Sequence, residues 1–169
     1  MIDQELFHWV QAHHIAMLDR WMPLVAAATM ARMGVVLCAA VALLLALRRR
    51  RAEALWLFGG ACIGGSLAEL IKPLVHRARP AGGMMLHDWS FPSGHATSSI
   101  VVLSLLAFLM ARRGPGPTKA WWGMAAVLTL LIGFNRVYLA AHWPTDVLGG
   151  WLIGGGFAFL WSRLYPGEG

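Results

Sequence analysis

Charge is what this chain has least of. Asp, Glu, Lys and Arg make up 13% of its 169 residues, where a soluble domain carries about 25%. The hydrophobic fraction is 58% with glycine left out, and mean hydropathy is +0.59. That balance excludes a disordered chain, an ordinary soluble globule and a basic nucleic-acid-binding domain. It leaves an all-α integral membrane protein. The net charge of +6 is then read by where the cations sit relative to the bilayer. Cysteine is also scarce. Cys38 and Cys62 both lie in apolar stretches, with no disulfide framework and no metal-ligand spacing, and read as small buried hydrophobes. No basic segment precedes a short apolar core at the N-terminus, so no cleavable signal peptide is expected.

What is abundant is long apolar runs. Residues 2–21 carry Leu6, Trp9, Val10, Met17, Leu18 and Trp21 near helical spacing, broken by Asp3, Glu5, Gln11, His13 and Asp19. That pattern predicts an amphipathic helix lying in the membrane interface. Five spans are expected after it, at about 23–47, 54–71, 93–111, 120–141 and 145–164. Together they make a helical bundle forming one membrane-embedded domain over 1–169. The turns after spans one and three and the tail after span five hold Arg48, Arg49, Arg50, Arg51, Arg112, Arg113, Lys119 and Arg163. The positive-inside rule puts that face in the cytoplasm and turns the other face outward. Arg32 and Glu69, costly alone in hydrocarbon, are expected to pair or to face a wet cavity. Gly60/Gly64 and Gly150/Gly154 have the spacing of close helix packing within the chain.

The outward face gathers three polar clusters. Lys72-Pro73-Leu74-Val75-His76-Arg77-Ala78-Arg79-Pro80 is the first, Phe91-Pro92-Ser93-Gly94-His95 the second, and the stretch from Asn135-Arg136 to His142-Trp143-Pro144-Thr145-Asp146 the third. Singly they read as snorkelling cations, a helix N-cap and an interfacial belt. Jointly they supply two histidines, a carboxylate and several cations to one face. Pro144 suits the first position of a helix, which puts Asp146 at N3, where its carboxylate reaches back over the helix start. From there Asp146 can take the proton-bearing nitrogen of His142 and leave the other nitrogen as a nucleophile. Ser93 suits the N-cap of the third span, and a helix start with small residues binds anions through free N–H groups. Lys72, Arg79 and Arg136 add charge for phosphate oxygens. These are the parts of a phosphoryl-transfer site. His76 and Arg77, at variable positions of the first cluster, are candidates for its rim, and His87 and Asp88 in the outer loop are candidates to flank a head group.

These three clusters resemble the tripartite signature of the type 2 phosphatidic acid phosphatase superfamily, the membrane lipid phosphate phosphatases. The family pattern runs Lys, six residues, Arg-Pro; then Pro-Ser-Gly-His; then Ser-Arg, five residues, His, three residues, Asp. Lys72 to Pro80 and Pro92 to His95 match in full. Arg136, His142 and Asp146 match in spacing, with Asn135 where the family has Ser. The resemblance implies a hydrolase without metal or cofactor, acting on a membrane lipid phosphate and not on nucleic acid. In that reading His142 forms a phosphohistidine supported by Asp146. His95 protonates the leaving oxygen and then activates water. Lys72, Arg79, Ser93, Gly94 and Arg136 hold the phosphate. The family's small bacterial members and an outward site imply a multi-pass inner-membrane protein whose site faces the periplasm. They imply undecaprenyl pyrophosphate as substrate, with phosphatidylglycerophosphate and phosphatidic acid as alternatives. Transfer to a lipid hydroxyl and binding or transport without turnover are the competing functions.

Overall fold

The structure, a computed structural model, describes residues 2–29, 31–81 and 88–167, apart from the side chains of 31 and 32. Seven helices follow one another, and among the described residues there is no strand. They are α1 (Ile2–Ala12), α2 (Ala16–Ala28), α3 (Ala31–Leu47), α4 (Arg51–Val75), α5 (Gly94–Arg113), α6 (Thr118–Tyr138) and α7 (Pro144–Ser162). By length and composition α4, α5 and α6 can each cross a membrane, and α2 with α3 makes a fourth crossing if taken as one broken span. Five spans were expected. The fifth, α7, has 19 residues, but its glycines and Asp146 dilute its apolar character. It still turns Leu148, Leu152, Phe159 and Leu160 outward, Leu152 at 77% exposure. Similar exposure of Leu55, Ile63, Leu70, Val127 and Leu130 gives the bundle an apolar outside that only lipid satisfies.

Two expectations for the N-terminal third are corrected. The single interfacial helix over 2–21 is two helices, because the chain leaves α1 at His13 and restarts at Ala16. Tyr138 of α6 stabilises the break: its hydroxyl accepts from the Ile15 N–H at 3.1 Å and donates to Asp19 Oδ1 at 2.7 Å. The predicted span over 23–47 bends by 49° between α2 and α3. Thr29 ends α2 there, with its N–H and its hydroxyl both on the Val25 carbonyl, at 3.0 and 2.6 Å. A side chain that bonds back in this way competes with continuation of the helix. Nor does α1 lie only on lipid. Phe7 and Val10 are buried against Val137, Tyr138 and Val147, and Gln11 Nε2 donates to the Val137 carbonyl at 2.9 Å.

Buried among α3, α4, α6 and α7, α5 is the central post of the bundle. Its buried positions run from Ala96 through Val101, Val102 and Leu105 to Leu109. Glycine lets the neighbours come close. A Cβ on Gly154 would stand 2.6 Å from the Thr97 carbonyl oxygen, and one on Gly150 would stand 2.9 Å from the Ser93 carbonyl oxygen. On α4, Gly60 and Gly64 receive the Trp161 and Phe157 rings of α7. Both glycine pairs therefore work in packing within the chain. Far from the α5 N-terminus, Glu53 gathers the other end of the bundle. It accepts from Arg50 Nε and from the Tyr165 hydroxyl, each at 2.7 Å, and lies 3.8 Å from Arg113. The basic turns thus meet at one end, and the three motif clusters meet at the other.

Because the obstacle at Gly154 is backbone, it cannot rotate away. Gly154→Ala should lower stability by about 1–3 kcal/mol, read as thermal unfolding in detergent. Gly123→Ala, with nothing within 4 Å of its Cβ, should leave stability unchanged or raise it by up to about 1 kcal/mol.

Candidate active site

The site begins with how α6 ends. Leu139 caps the helix and Ala140 takes a left-handed φ of 51°. The Ala140 N–H then reaches the Val137 carbonyl at 3.1 Å, and the Ala141 N–H reaches the Arg136 carbonyl at 3.0 Å. This is a Schellman closure with alanine where glycine is usual. The His142 N–H hangs on the same Arg136 carbonyl at 3.2 Å. One turn of helix end therefore fixes both the Arg136 backbone and the start of the His142 loop.

His142 is 3% exposed, and its tautomer follows from its partners. Nδ1 lies 2.9 Å from the Ser90 carbonyl, which only accepts, so Nδ1 carries the hydrogen. Nε2 lies 3.1 Å from Arg79 Nη1, which only donates, so Nε2 holds the lone pair. The expected hydrogen bond from His142 to Asp146 is corrected: Asp146 Oδ2 stands 3.6 Å from Nδ1, and Ser90 takes the proton instead. Burial pushes the His142 imidazole below its ordinary pKa. The Asp146 carboxylate opposes that shift, and the Arg79 guanidinium adds to it. The ring is held neutral with Nε2 available.

Asp146 is fully buried and fully engaged. It occupies N3 of α7, with Pro144 at N1. Its Oδ2 accepts the Trp143 N–H at 2.9 Å and the Ser90 hydroxyl, and its Oδ1 accepts Arg77 Nη1 at 2.6 Å. Ser90 has no exposed surface. Its carbonyl holds His142 and its hydroxyl holds Asp146, yet no side-chain pattern in the sequence singled it out. Arg77, expected at the rim from its sequence position, is half-buried and bonds Asp146.

The cations surround this pair. Ser93 caps α5, accepting from the Ala96 N–H at 3.4 Å, and its own N–H donates to the Asp146 carbonyl at 3.0 Å. That bond joins the starts of α5 and α7. Lys72 Nζ would stand 3.9 Å from a Cβ on Gly94, so its ammonium faces the first turn of α5. Arg136 is 4% exposed, and its Nη2 bonds Asn135 Oδ1. Its buried Nε has no partner among the described residues, and a buried N–H of this kind calls for an acceptor. Asn135 Nδ2 turns away to the Met22 carbonyl at 2.7 Å. His95, in the first turn of α5, lies within electrostatic reach of Arg136, His142, Lys72 and Arg79. Lys72, Arg79, Ser93, Gly94, His95, Arg136, His142 and Asp146 are thus all brought to one end of the bundle.

Asp88 bridges two of these cations. Its Oδ2 accepts from Lys72 at 2.5 Å and its Oδ1 from Arg79 Nη2 at 2.7 Å. Burial works against its ionisation. The hydrogen bonds from Lys72 and Arg79 outweigh that and hold the carboxyl below its ordinary range. Lys72 also donates to Glu69 Oε1 at 2.7 Å. Glu69 is therefore paired within α4, and the Arg32 side chain expected to meet it lies outside the described residues, as does His87. Among the described residues no three His, Cys, Asp or Glu side chains group to hold a metal ion.

The chain is similar to known proteins in sequence and in fold. The sequence is 32% identical over 127 residues to an undecaprenyl-diphosphatase of Sulfolobus acidocaldarius, covering 70% of this chain and 58% of that protein. It is 34% identical over 93 residues to phosphatidylglycerophosphatase B of Bacillus subtilis, covering 52% of this chain and 46% of that protein. The chain spans about half the length of these curated relatives. The crystal structure of a transmembrane PAP2 type phosphatidylglycerolphosphate phosphatase from Bacillus subtilis superposes with a TM-score of 0.84. It is 24% identical, and the match covers 96% of this chain and 84% of that one. The sequence model of the PAP2 superfamily matches residues 53–169, from the start of α4 through the last of the three motif clusters, and the chain belongs to that superfamily.

Proposed function

We propose that this protein is a membrane lipid phosphate or pyrophosphate phosphatase working through a phosphohistidine on His142. The observation that carries the reading is the fixed tautomer of His142, with the Nε2 lone pair beside the guanidinium of Arg79. A phosphate arriving there takes the N–H groups of Arg79 and Lys72, which leave Asp88, and the Nε–H of Arg136. Nε2 then forms the bond to phosphorus as the bond to the leaving oxygen breaks. His95 gives that oxygen its proton. In the second step His95 accepts a proton from water as the water oxygen bonds to phosphorus. The nitrogen–phosphorus bond breaks, releasing inorganic phosphate and neutral His142. Positioning and neutralisation of developing charge lower the barrier. A binder without turnover needs the cations but gains nothing from a neutral, oriented histidine.

The lipid tail has a place to lie. An apolar groove of about 220 Å³ runs between the α2–α3 bend, α5 and α6, past Met33, Leu37, Val102, Leu128 and Leu131. It reaches Ser98 and Ser99, one turn below His95. Undecaprenyl pyrophosphate is the substrate we favour, since it is the substrate in the name of one relative and carries charge enough for three cations. Phosphatidylglycerophosphate, from the name of another, is the alternative. The basic turns at the far end of the bundle favour a site on the outer face of the bacterial inner membrane.

Phosphate release in detergent from undecaprenyl pyrophosphate, phosphatidylglycerophosphate and phosphatidic acid, assayed side by side, tests both levels. Activity should persist in chelator and fall by at least about a thousandfold in His142→Ala and His95→Ala. Preference for a glycerophospholipid would overturn the polyprenyl assignment alone. Release from none of the three would overturn the phosphatase reading.

The depressed pKa of His142 sets the pH profile. A protonated ring cannot attack, and the folded protein resists protonation. The acid limb of kcat/KM should therefore fall below the ordinary histidine value of 6.5. A limb at or above that value would contradict the buried, neutral ring.

Sidedness is read separately by impermeant thiol labelling of intact cells in a Cys38→Ala, Cys62→Ala background. Ala81→Cys should label and Thr118→Cys should not. The reverse pattern would place the site in the cytoplasm.

A further inference from the structure

The N-terminal helix begins against the start of α7, next to Asp146. Asp3 stands in the first turn of α1. Its Oδ1 accepts the backbone N–H of Thr145 at 2.9 Å, and its Oδ2 accepts the Thr145 hydroxyl at 2.7 Å. Thr145 is the second residue of α7, so Asp3 satisfies a helix-start N–H that has no partner within its own helix. Asp3 Oδ2 also accepts from Arg77 Nη2. The other arm of the same guanidinium, Nη1, donates to Asp146 Oδ1 and to Thr145 Oγ1, both at 2.6 Å. Arg77 is thus a fork between two carboxylates, one on α1 and one on α7. The Arg77 backbone carbonyl takes the Ser90 N–H at 2.7 Å, and Ser90 is the residue that holds His142.

A second line of contact runs beside it. Phe7 of α1 packs against Trp143, ring centroids 5.0 Å apart, and the Arg77 guanidinium lies 5.7 Å from the same indole. Trp143 Nε1 donates to the Ala78 carbonyl at 3.0 Å. Trp143 is the neighbour of His142 in the chain. Asp3 itself stays ionised. Burial opposes its charge, but the hydrogen bonds from Thr145 and Arg77 outweigh burial and lower its pKa.

We propose that Asp3 is a positioning residue for His142: through Arg77 it fixes Asp146, and by its own bonds to Thr145 it fixes the start of α7, so the docking of α1 completes the active site. The fork geometry gives the reason. A guanidinium is planar and binds one carboxylate by two parallel bonds when it can. With Asp3 present, Arg77 divides its arms and gives Asp146 one bond, on Oδ1. This leaves Oδ2 to the Trp143 N–H and the Ser90 hydroxyl. Without Asp3, Arg77 turns both arms onto Asp146 and draws Oδ2 from those two donors. Ser90 and the Trp143 corner then move, and with them the Nδ1 partner of His142. The anchoring of α1 itself does not require Asp3, since Phe7 and Val10 are buried and Gln11 holds the Val137 carbonyl.

The proposal rests on the phosphatase reading, and its test separates the two. Full-length wild type, Asp3→Asn, Gln11→Ala and Arg77→Ala, and the double variant Asp3→Asn with Arg77→Ala, are compared on the lipid that wild type turns over fastest. Asp3→Asn should lower kcat about tenfold or more, as expected for a small displacement of a nucleophile, with KM held within about twofold. Gln11→Ala should lower the melting temperature and leave kcat unchanged. Asp3→Asn should cost markedly less once Arg77 is gone, since only its bonds to Thr145 remain to be lost. Arg77→Lys, which keeps the charge and loses the fork, replaces Arg77→Ala if that variant does not fold. A kcat for Asp3→Asn within about twofold of wild type, or a loss that adds fully to that of Arg77→Ala, overturns the proposal. So does a loss in Gln11→Ala equal to that in Asp3→Asn. The ring ¹⁵N signals of His142 carry the same test without turnover. Asp3→Asn should shift them and Gln11→Ala should not, and unshifted signals in Asp3→Asn overturn the proposal. Absence of phosphate release by wild type overturns the phosphatase reading instead.

Discussion

A carboxylate removed from water must be given donors, and at Asp146 that requirement organises the end of the bundle. Its side chain has no exposed surface. Three donors meet it from three segments: the Trp143 N–H at the start of α7, the Ser90 hydroxyl from the loop before α5, and Arg77 from the segment after α4. Removing one partner of a buried charge costs several kcal/mol, typically about 3–5. These segments are therefore held in one arrangement. His142 rides on that arrangement. Its ring is aimed by the Ser90 carbonyl, and Ser90 is itself tied to Asp146.

The helices below deliver these parts in register. Glycines at 150 and 154 let α7 lie close against the backbone of α5, and the Ser93 N–H reaches the Asp146 carbonyl across that contact. The result is a set of cations around the buried His142 ring. Lys72 and Arg79 share Asp88, and Lys72 is also paired with Glu69, while the Arg136 Nε–H has no partner among the described residues. In the proposed reaction an incoming phosphate exchanges with one carboxylate and meets one guanidinium already desolvated. Such preorganised charge is worth more than the same groups in water.

The three motif clusters were legible because their chemistry lies in side-chain types at fixed offsets. Pro144 and Asp146 can even be assigned to N1 and N3 of a helix from the sequence, and Ser93 to an N-cap. Ser90 was not legible, because its hold on His142 uses a backbone carbonyl that every residue possesses. Arg77 stands at a variable position of the first cluster, and only the path of the chain turns it inward. Asp3 meets Thr145 across most of the sequence, beyond any local pattern. The helix break at His13 has the same origin, since Tyr138, far along the chain, caps it. The apolar periodicity over 2–21 was real, but it recorded burial against α6 and α7 as well as contact with lipid.

The central claim is that His142 attacks through Nε2 because Ser90 occupies Nδ1. The two phosphohistidine isomers are chemically distinct and survive an alkaline quench. The direct measurement is ³¹P NMR, with peptide mass spectrometry, of enzyme quenched in alkali during turnover of its lipid substrate. The account predicts a phosphoryl group on His142 at Nε2. Phosphate on Nδ1, on another residue, or on no residue during sustained turnover would contradict it.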